Sequence, residues 1–207
     1  QYILQLKSNK KELDDRYFDS KERKAFDESD AKEWQQWLKT EAIDPKPIPY
    51  EKASQIPKEK IISTPMRYVR TNKGPTDDQL IAKSRMCVPG HMDPCVGLYR
   101  TDAPTVSGLG VFVIVVVAVS KGWFGEIFDI SCAFLSGLPM GREVYVKEGL
   151  PATDLSKPIK PYSLLRLLKA AYGLQEAPRL WYQQLKKILE AMGFTELRVN
   201  RGIFVYH

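Results

Sequence analysis

Asp129 is the residue whose surroundings first demand a chemical explanation. It sits between Phe128 and Ile130 in the run Glu126-Ile127-Phe128-Asp129-Ile130, which reads as an apolar strand carrying one internal acid. A carboxylate buried there is costly while ionised and unpartnered. Two readings stand level: a strand-end or ion-paired acid, and a metal-binding or catalytic acid. Lys83 and Arg85 flank Ser84, and on a strand both point to the same side. Two cations so placed suit the solvated edge of a sheet. Cys87, His91 and Cys95 recur every four residues, but Pro89, Gly90 and Pro94 forbid a regular helix between them. A fourth ligand for a tetrahedral zinc site is missing nearby, so a turn between strands is the expectation. The three cysteines, Cys87, Cys95 and Cys132, are an odd number, which argues against a secreted disulfide framework.

The elements that must position these groups follow from pattern. Residues 1–43 mix charges of both signs, lack Gly and Pro, and carry a narrow stripe of Trp34, Trp37 and Leu38; they read as solvated helix, with Ser29 or Asp30 as candidate caps. Pro45, Pro47, Pro49 and Pro57 make 44–60 an extended connector. Residues 61–70 and 79–88 read as two strands of a hairpin around the turn-prone 72–78. The run Val111 to Val119 is a buried strand by propensity and a buried helix by position, and periodicity does not arbitrate. Residues 143–147 form another strand, and Pro151, Pro158 and Pro161 mark a loop. Residues 177–192 are the clearest helix: Pro178 suits the first turn, Leu185, Ile188, Leu189 and Met192 make the buried face, and Gly193 ends it. Gly202 to His207 opens a further strand.

Composition bounds the class. The 207 residues, 43% hydrophobic and 27% charged, are ample for a buried core and exclude whole-chain disorder and a membrane bundle. The nine-residue apolar run at 111–119 is too short for a bilayer, which takes about 20 helical residues. The polar stretch Gln1 to Lys11 has no apolar signal core, and a start at Gln rather than Met leads to the expectation of a fragment. Residues 1–60 hold 13 basic and 13 acidic groups, so the +6 charge lies entirely after residue 60, as 18 basic against 12 acidic. That imbalance suits a polyanion such as nucleic acid and suits plain solubility about equally.

Four blocks in order carry a family resemblance. Phe128-Asp129-Ile130-Ser131-Cys132-Ala133-Phe134-Leu135-Ser136-Gly137 resembles the first catalytic-Asp motif of copia-type retrotransposon reverse transcriptases, an apolar–Asp–Val–x–x–Ala–Phe–Leu–x–Gly pattern with Trp upstream, as Trp123 is here. Glu143-Val144-Tyr145-Val146 with Gly149 is similar to the family's Glu–Ile–Tyr–Met strand. Leu167 to Tyr182, with Ala171-Tyr172-Gly173-Leu174 and Pro178-Arg179-Leu180-Trp181 inside it, resembles the Lys–x–Leu–Tyr–Gly–Leu–Lys–Gln–x–Pro–Arg–x–Trp–Tyr block. Lys83-Ser84-Arg85-Met86-Cys87-Val88 resembles the Lys–Ala–Arg–Leu–Val strand of the fingers. The likeness covers about residues 25–207; residues 1–24 match no block.

The resemblance implies an α+β fold: a polymerase right hand of fingers and palm, with an antiparallel palm sheet backed by helices. It makes 1–60 a charged helical segment and connector, and 61–207 the fingers and first half of the palm. It turns 111–119 into a palm helix against local propensity. The implied activity is RNA-directed DNA polymerisation, with RNA template, DNA primer and dNTPs as partners, no membrane, and integrase and ribonuclease H elsewhere in a polyprotein. Asp129 and the Ile130 carbonyl become ligands of Mg²⁺, of which the family uses two ions. Phe134 packs under the nucleotide sugar and excludes a 2′-hydroxyl. Arg85, with Lys83, contacts the triphosphate; Tyr172 and Gly173 lie near nucleotide and template; Arg179 and Trp181 anchor the following helix. A Tyr–x–Asp–Asp hairpin, expected after Phe204, carries the family's other carboxylates; neither Asp77-Asp78 nor Asp14-Asp15 replaces it. The expectation is therefore a fragment with one of three carboxylates and an incomplete metal site, inactive alone and intracellular. The alternative is a decayed or domesticated remnant that binds nucleic acid without catalysis.

Overall fold

Asp19 starts the first helix, α1 (Ser20–Lys39): its carboxylate accepts the Glu22 N–H at 2.7 Å, and Glu22 accepts the Asp19 N–H in return. This capping box satisfies two of the orphan donors of the first turn. Ser29 and Asp30 therefore lie inside the helix rather than at its cap. The computed structural model describes residues 12–75, 79–147 and 164–206. Asp77-Asp78, Gly149 and the 151–161 prolines lie outside them.

α1 buries Phe26, Trp34 and Trp37 together with two acids, Asp30 and Glu33. Asp30 is neutralised by Arg70, whose Nε and one terminal nitrogen both donate to it, the Nε at 3.2 Å, while the second terminal nitrogen reaches Asp15 at 2.9 Å. The Pro-rich connector is not wholly extended, since a four-residue helix α2 (Tyr50–Ala53) and a 3-10 turn at Lys58–Lys60 interrupt it.

Residues 61–70 form two strands instead of one. β1 (Ile61–Ile62) pairs parallel to β4 (Pro139–Lys147), while β2 (Arg67–Asn72) pairs antiparallel to β3 (Ala82–Cys87). Pro65 falls between them, where a residue without an N–H cannot continue a ladder. β4 pairs antiparallel to β5 (Leu164–Lys169), giving a three-stranded sheet of order β1-β4-β5. The outer edge of β5 is covered by residues 42–48: Ala42 O accepts the Leu168 N–H at 2.8 Å, and the Asp44 and Ile48 N–H groups donate to Arg166 O and Leu164 O, each at 2.9 Å. Trp34, Trp37, Ile43, Ile62, Leu135, Val144, Val146, Leu165 and Leu167 share one core, so helix, connector and sheet are packed as one body.

The 111–119 run is helical. In α3 (Gly108–Lys121), Ser107 Oγ caps the Gly110 N–H at 3.0 Å and Gly122, at φ 65°, ends the helix. Its apolar side chains are not buried: Leu109 is 73% exposed, Phe112 64% and Val119 76%. The expected strand at 126–130 is absent as well. Residues 123–130 have no ladder partner among the described residues, and Phe124, Ile127 and Phe128 all face solvent. Apolar composition alone does not make a strand, whose amides need a neighbour. No helix among the described residues is long and apolar enough to cross a membrane.

The last helix, α4 (Ala177–Ala191), has Pro178 in its first turn, and Gly193 lies just beyond it at φ 93°. Its expected buried face is only partly buried, with Ile188 and Met192 exposed. The helix docks through its N-terminal turns, where Leu180 packs on the core. Its far end meets the small hairpin of β6 (Phe194–Glu196) and β7 (Phe204–Tyr206), where Lys186 reaches Glu196 at 2.6 Å. The architecture is mixed α+β, with small sheets and helices.

Candidate functional site

Alternation along β3 buries Ser84 and Met86 and leaves Lys83 and Arg85 exposed on the opposite face. The strand then runs into Val88, whose N–H donates to Tyr172 O at 2.8 Å. Next to it Gly90 and Gly173 meet backbone to backbone: a Cβ on Gly173 would lie 1.9 Å from Val88 O, and one on Gly90 would lie 2.0 Å from Gly173 O. Gly173 also has φ 100°, in the left-handed region. Two glycines are therefore required for the β3 exit and the turn after β5 to touch.

That contact brings Arg85 to Tyr172, with the guanidinium carbon 5.8 Å from the ring centroid. Phe134 packs on the same ring at 5.5 Å between centroids and 59° between planes. Phe134 opens the 3-10 turn Phe134–Ser136, set by Cys132 at φ 54°, an uncommon conformation for a residue with a side chain. Phe134, Tyr172 and Cys132 are all half-buried against the core. Burial is the main cause that pushes the Tyr172 phenol up to about 12, so it is a neutral hydroxyl at physiological pH. Of the residues singled out in the sequence, Arg85, Phe134, Tyr172 and Gly173 thus form one half-exposed cluster. Lys83 shares the exposed face of β3 with Arg85. Arg179 holds Asp102 at 2.9 Å, tying α4 to the loop before α3.

Asp129 stands apart. It is exposed, and it makes no hydrogen bond or ion pair with the described residues; Ile130 beside it is 48% exposed. The buried apolar setting expected for this acid is not present, because no strand among the described residues packs on residues 123–130. Among the described residues no group of three Asp, Glu, His or Cys side chains could share a metal ion. Asp129 and the Ile130 carbonyl are too few donors for a pair of divalent ions, so the donor set among the described residues does not fit that group.

Residues 52–207 match the family described as reverse transcriptase (RNA-dependent DNA polymerase). The chain belongs to the reverse transcriptase family. It is 30% identical over 141 residues to the retrovirus-related Pol polyprotein from transposon RE2 of Arabidopsis thaliana, and to the same degree to that from transposon RE1. Each alignment covers 67% of this chain and 9% of the relative's length. The chain is thus a copia-type reverse transcriptase segment of the kind found in retrotransposon polyproteins. No solved structure shows a significant match.

Two groups of supporting residues were not singled out in the sequence. One is Arg142 with Asp93 and Glu176, a buried ion cluster that ties β4 to the loop after β3 and to the start of α4. The other is Glu33, buried in α1 four residues before Trp37. An acid on the apolar stripe of an amphipathic helix was the legible signal for the second. Nothing local marked the first.

Proposed function

We propose that this chain supplies the nucleotide-binding surface of an RNA-directed DNA polymerase. The observation that carries the reading is the cluster of Arg85, Tyr172 and Phe134, assembled from three segments far apart in sequence and left half-exposed to solvent. Arg85 offers a planar fork to triphosphate oxygens, with Lys83 beside it on the same face. Phe134 offers a ring edge to the sugar, where a 2′-hydroxyl would clash. Gly173 lets template or base approach the backbone closely. Residues 61–207 form the fingers and first half of the palm, and the helix of the 1–60 segment is built into their core. The exposed apolar side chains of α3 and of residues 123–130 belong to the palm. Asp129 would give one carboxylate to a Mg²⁺ site that the described residues alone do not complete. RNA template, DNA primer and dNTPs are the substrates, in a polyprotein that also carries integrase and ribonuclease H.

The test is nucleotide titration into the chain bound to a primed RNA template. A dNTP should bind more tightly than the matching rNTP, Phe134→Val should narrow that gap, and Arg85→Ala should weaken both. Equal binding of dNTP and rNTP that ignores both substitutions would refute the assignment.

A second reading, a non-catalytic remnant that binds nucleic acid, draws on the isolation of Asp129. It predicts primer–template affinity that falls steeply with salt, as the release of counterions from phosphates requires, with no discrimination between nucleotides.

A further inference from the structure

The outer edge of β3 is closed by atoms that belong to no strand. The ladder to β2 uses one set of alternate amides, and the other set points away from it. In order, the Ser84 N–H donates to Ser29 Oγ at 2.9 Å, the Met86 N–H to Glu33 Oε1 at 3.2 Å, and the Val88 N–H to Tyr172 O at 2.8 Å. The spacings match: side chains four apart on a helix are about 6 Å apart, and every second residue of a strand is about 6.8 Å apart. One turn of α1 therefore reads two successive edge amides of β3. Glu33 is 6% exposed and also accepts the Trp37 indole N–H at 3.1 Å. A carboxylate at this depth is costly, and a second serine would accept an amide more cheaply. The acid instead lies behind the strand of Lys83 and Arg85, close enough to feel both charges as well as Tyr172, Cys87 and Cys132.

We propose that Glu33 is a positioning residue for the nucleotide-binding cluster. By holding the Met86 amide, it fixes β3 between Arg85 and the Val88–Tyr172 hydrogen bond and keeps the guanidinium over the tyrosine ring. Ser29 does the same one amide earlier. This rests on the reading of Arg85 as a triphosphate contact. It also makes α1, which precedes the family match at residues 52–207, part of the working unit.

The experiment measures dNTP affinity of the full chain on a primed RNA template, with a thermal melt of every variant. Glu33→Leu keeps the volume and removes the acceptor; it should weaken dNTP binding about tenfold, the scale of one lost hydrogen bond to a charged group. Glu33→Gln keeps an acceptor for Met86 and should recover most of that affinity. Ser29→Ala should weaken binding about threefold while barely moving the melt. Combined with Arg85→Ala, Glu33→Leu should add little, because both act through one side chain. If Arg85→Ala weakens binding but Glu33→Leu and Ser29→Ala change only the melt, the positioning role is overturned and the nucleotide site stands. If Glu33→Leu does not fold, Ser29→Ala decides, and unchanged affinity in it defeats the proposal. If Arg85→Ala binds dNTP like the unmodified chain, the nucleotide reading itself fails and the proposal falls with it.

Discussion

Replacing Arg142 by Met should be the most damaging single change on β4. The guanidinium is 10% exposed and lies between two carboxylates, Asp93 at 5% and Glu176 at 11%. Its Nε reaches Glu176 Oε1 at 2.9 Å, one terminal nitrogen reaches Asp93 Oδ1 at 3.1 Å, and the other contacts both acids. The Tyr99 ring covers it at 4.8 Å from the centroid. Burial alone would lower the guanidinium's affinity for its proton, but Asp93 and Glu176 together more than reverse this and hold it well above its ordinary value. Methionine fills much of the space but leaves two buried acids without a cation. Removing one partner of a buried pair costs about 3–5 kcal/mol. For a chain of this size that is a fall in Tm of roughly 6–20 °C, at about 2–4 °C per kcal/mol. The assay is thermal and urea unfolding of Arg142→Met beside the unmodified chain. The triple variant Arg142→Met/Asp93→Asn/Glu176→Gln removes every charge and should recover more than half of the loss. A loss under about 1 kcal/mol, or a triple variant no better than the single one, would refute the view that the cluster is a buried charge-balanced clamp.

Three other changes have defined outcomes. The Ser84 hydroxyl is buried and has no hydrogen-bond partner, so Ser84→Ala should raise stability by about 1 kcal/mol, read as a higher urea midpoint; a fall in the midpoint would show that the hydroxyl is satisfied. Gly173→Ala, at φ 100° and 1.9 Å from Val88 O, should cost about 2–4 kcal/mol and lower nucleotide affinity; a neutral melt would mean the two turns can separate freely. Burial pushes the Glu196 carboxyl up, but the Lys186 ammonium, the Tyr182 hydroxyl and the Gly202 N–H outweigh it and hold it at about 2, against an ordinary 4.5. Its folded value is thus depressed, so its stabilisation is full above 4.5 and is lost as pH falls toward 2. Stability measured across that window should slope less in Glu196→Gln, and an identical slope would show that the contacts do not favour the ionised form.

What was legible in the sequence depended on whether the cause was local. The β2–β3 hairpin, the Pro178 start and Gly193 end of the last helix, and the shared face of Lys83 and Arg85 follow from turn chemistry and period, which neighbouring residues settle. The run 111–119 was not decidable by period, since every position is apolar; glycine at its end and a serine cap made it a helix. The failures are tertiary. Asp129 reads as buried only if residues 126–130 find a ladder partner, and none lies among the described residues. Ile188 and Met192 satisfy the helical period yet face solvent, because the helix is held by its first turns. Arg142 meets Asp93 across 49 residues and Glu176 across 34, and no window of sequence contains that meeting. Glu33 was half legible: an acid on the apolar stripe marks the position, but its partner across the fold is the Met86 backbone amide, which has no sequence signature.

The claim that Arg85, Tyr172 and Phe134 form the nucleotide site is tested most directly by photo-crosslinking. A radiolabelled dNTP bearing a photoreactive base would be bound to the chain on a primed RNA template, irradiated and mapped by mass spectrometry. The label should fall on the peptides that contain Tyr172 or Phe134, excess unlabelled dNTP should compete better than rNTP, and Arg85→Ala should remove most of it. Labelling concentrated on α3 or the β6–β7 hairpin, undiminished by Arg85→Ala, would contradict the account.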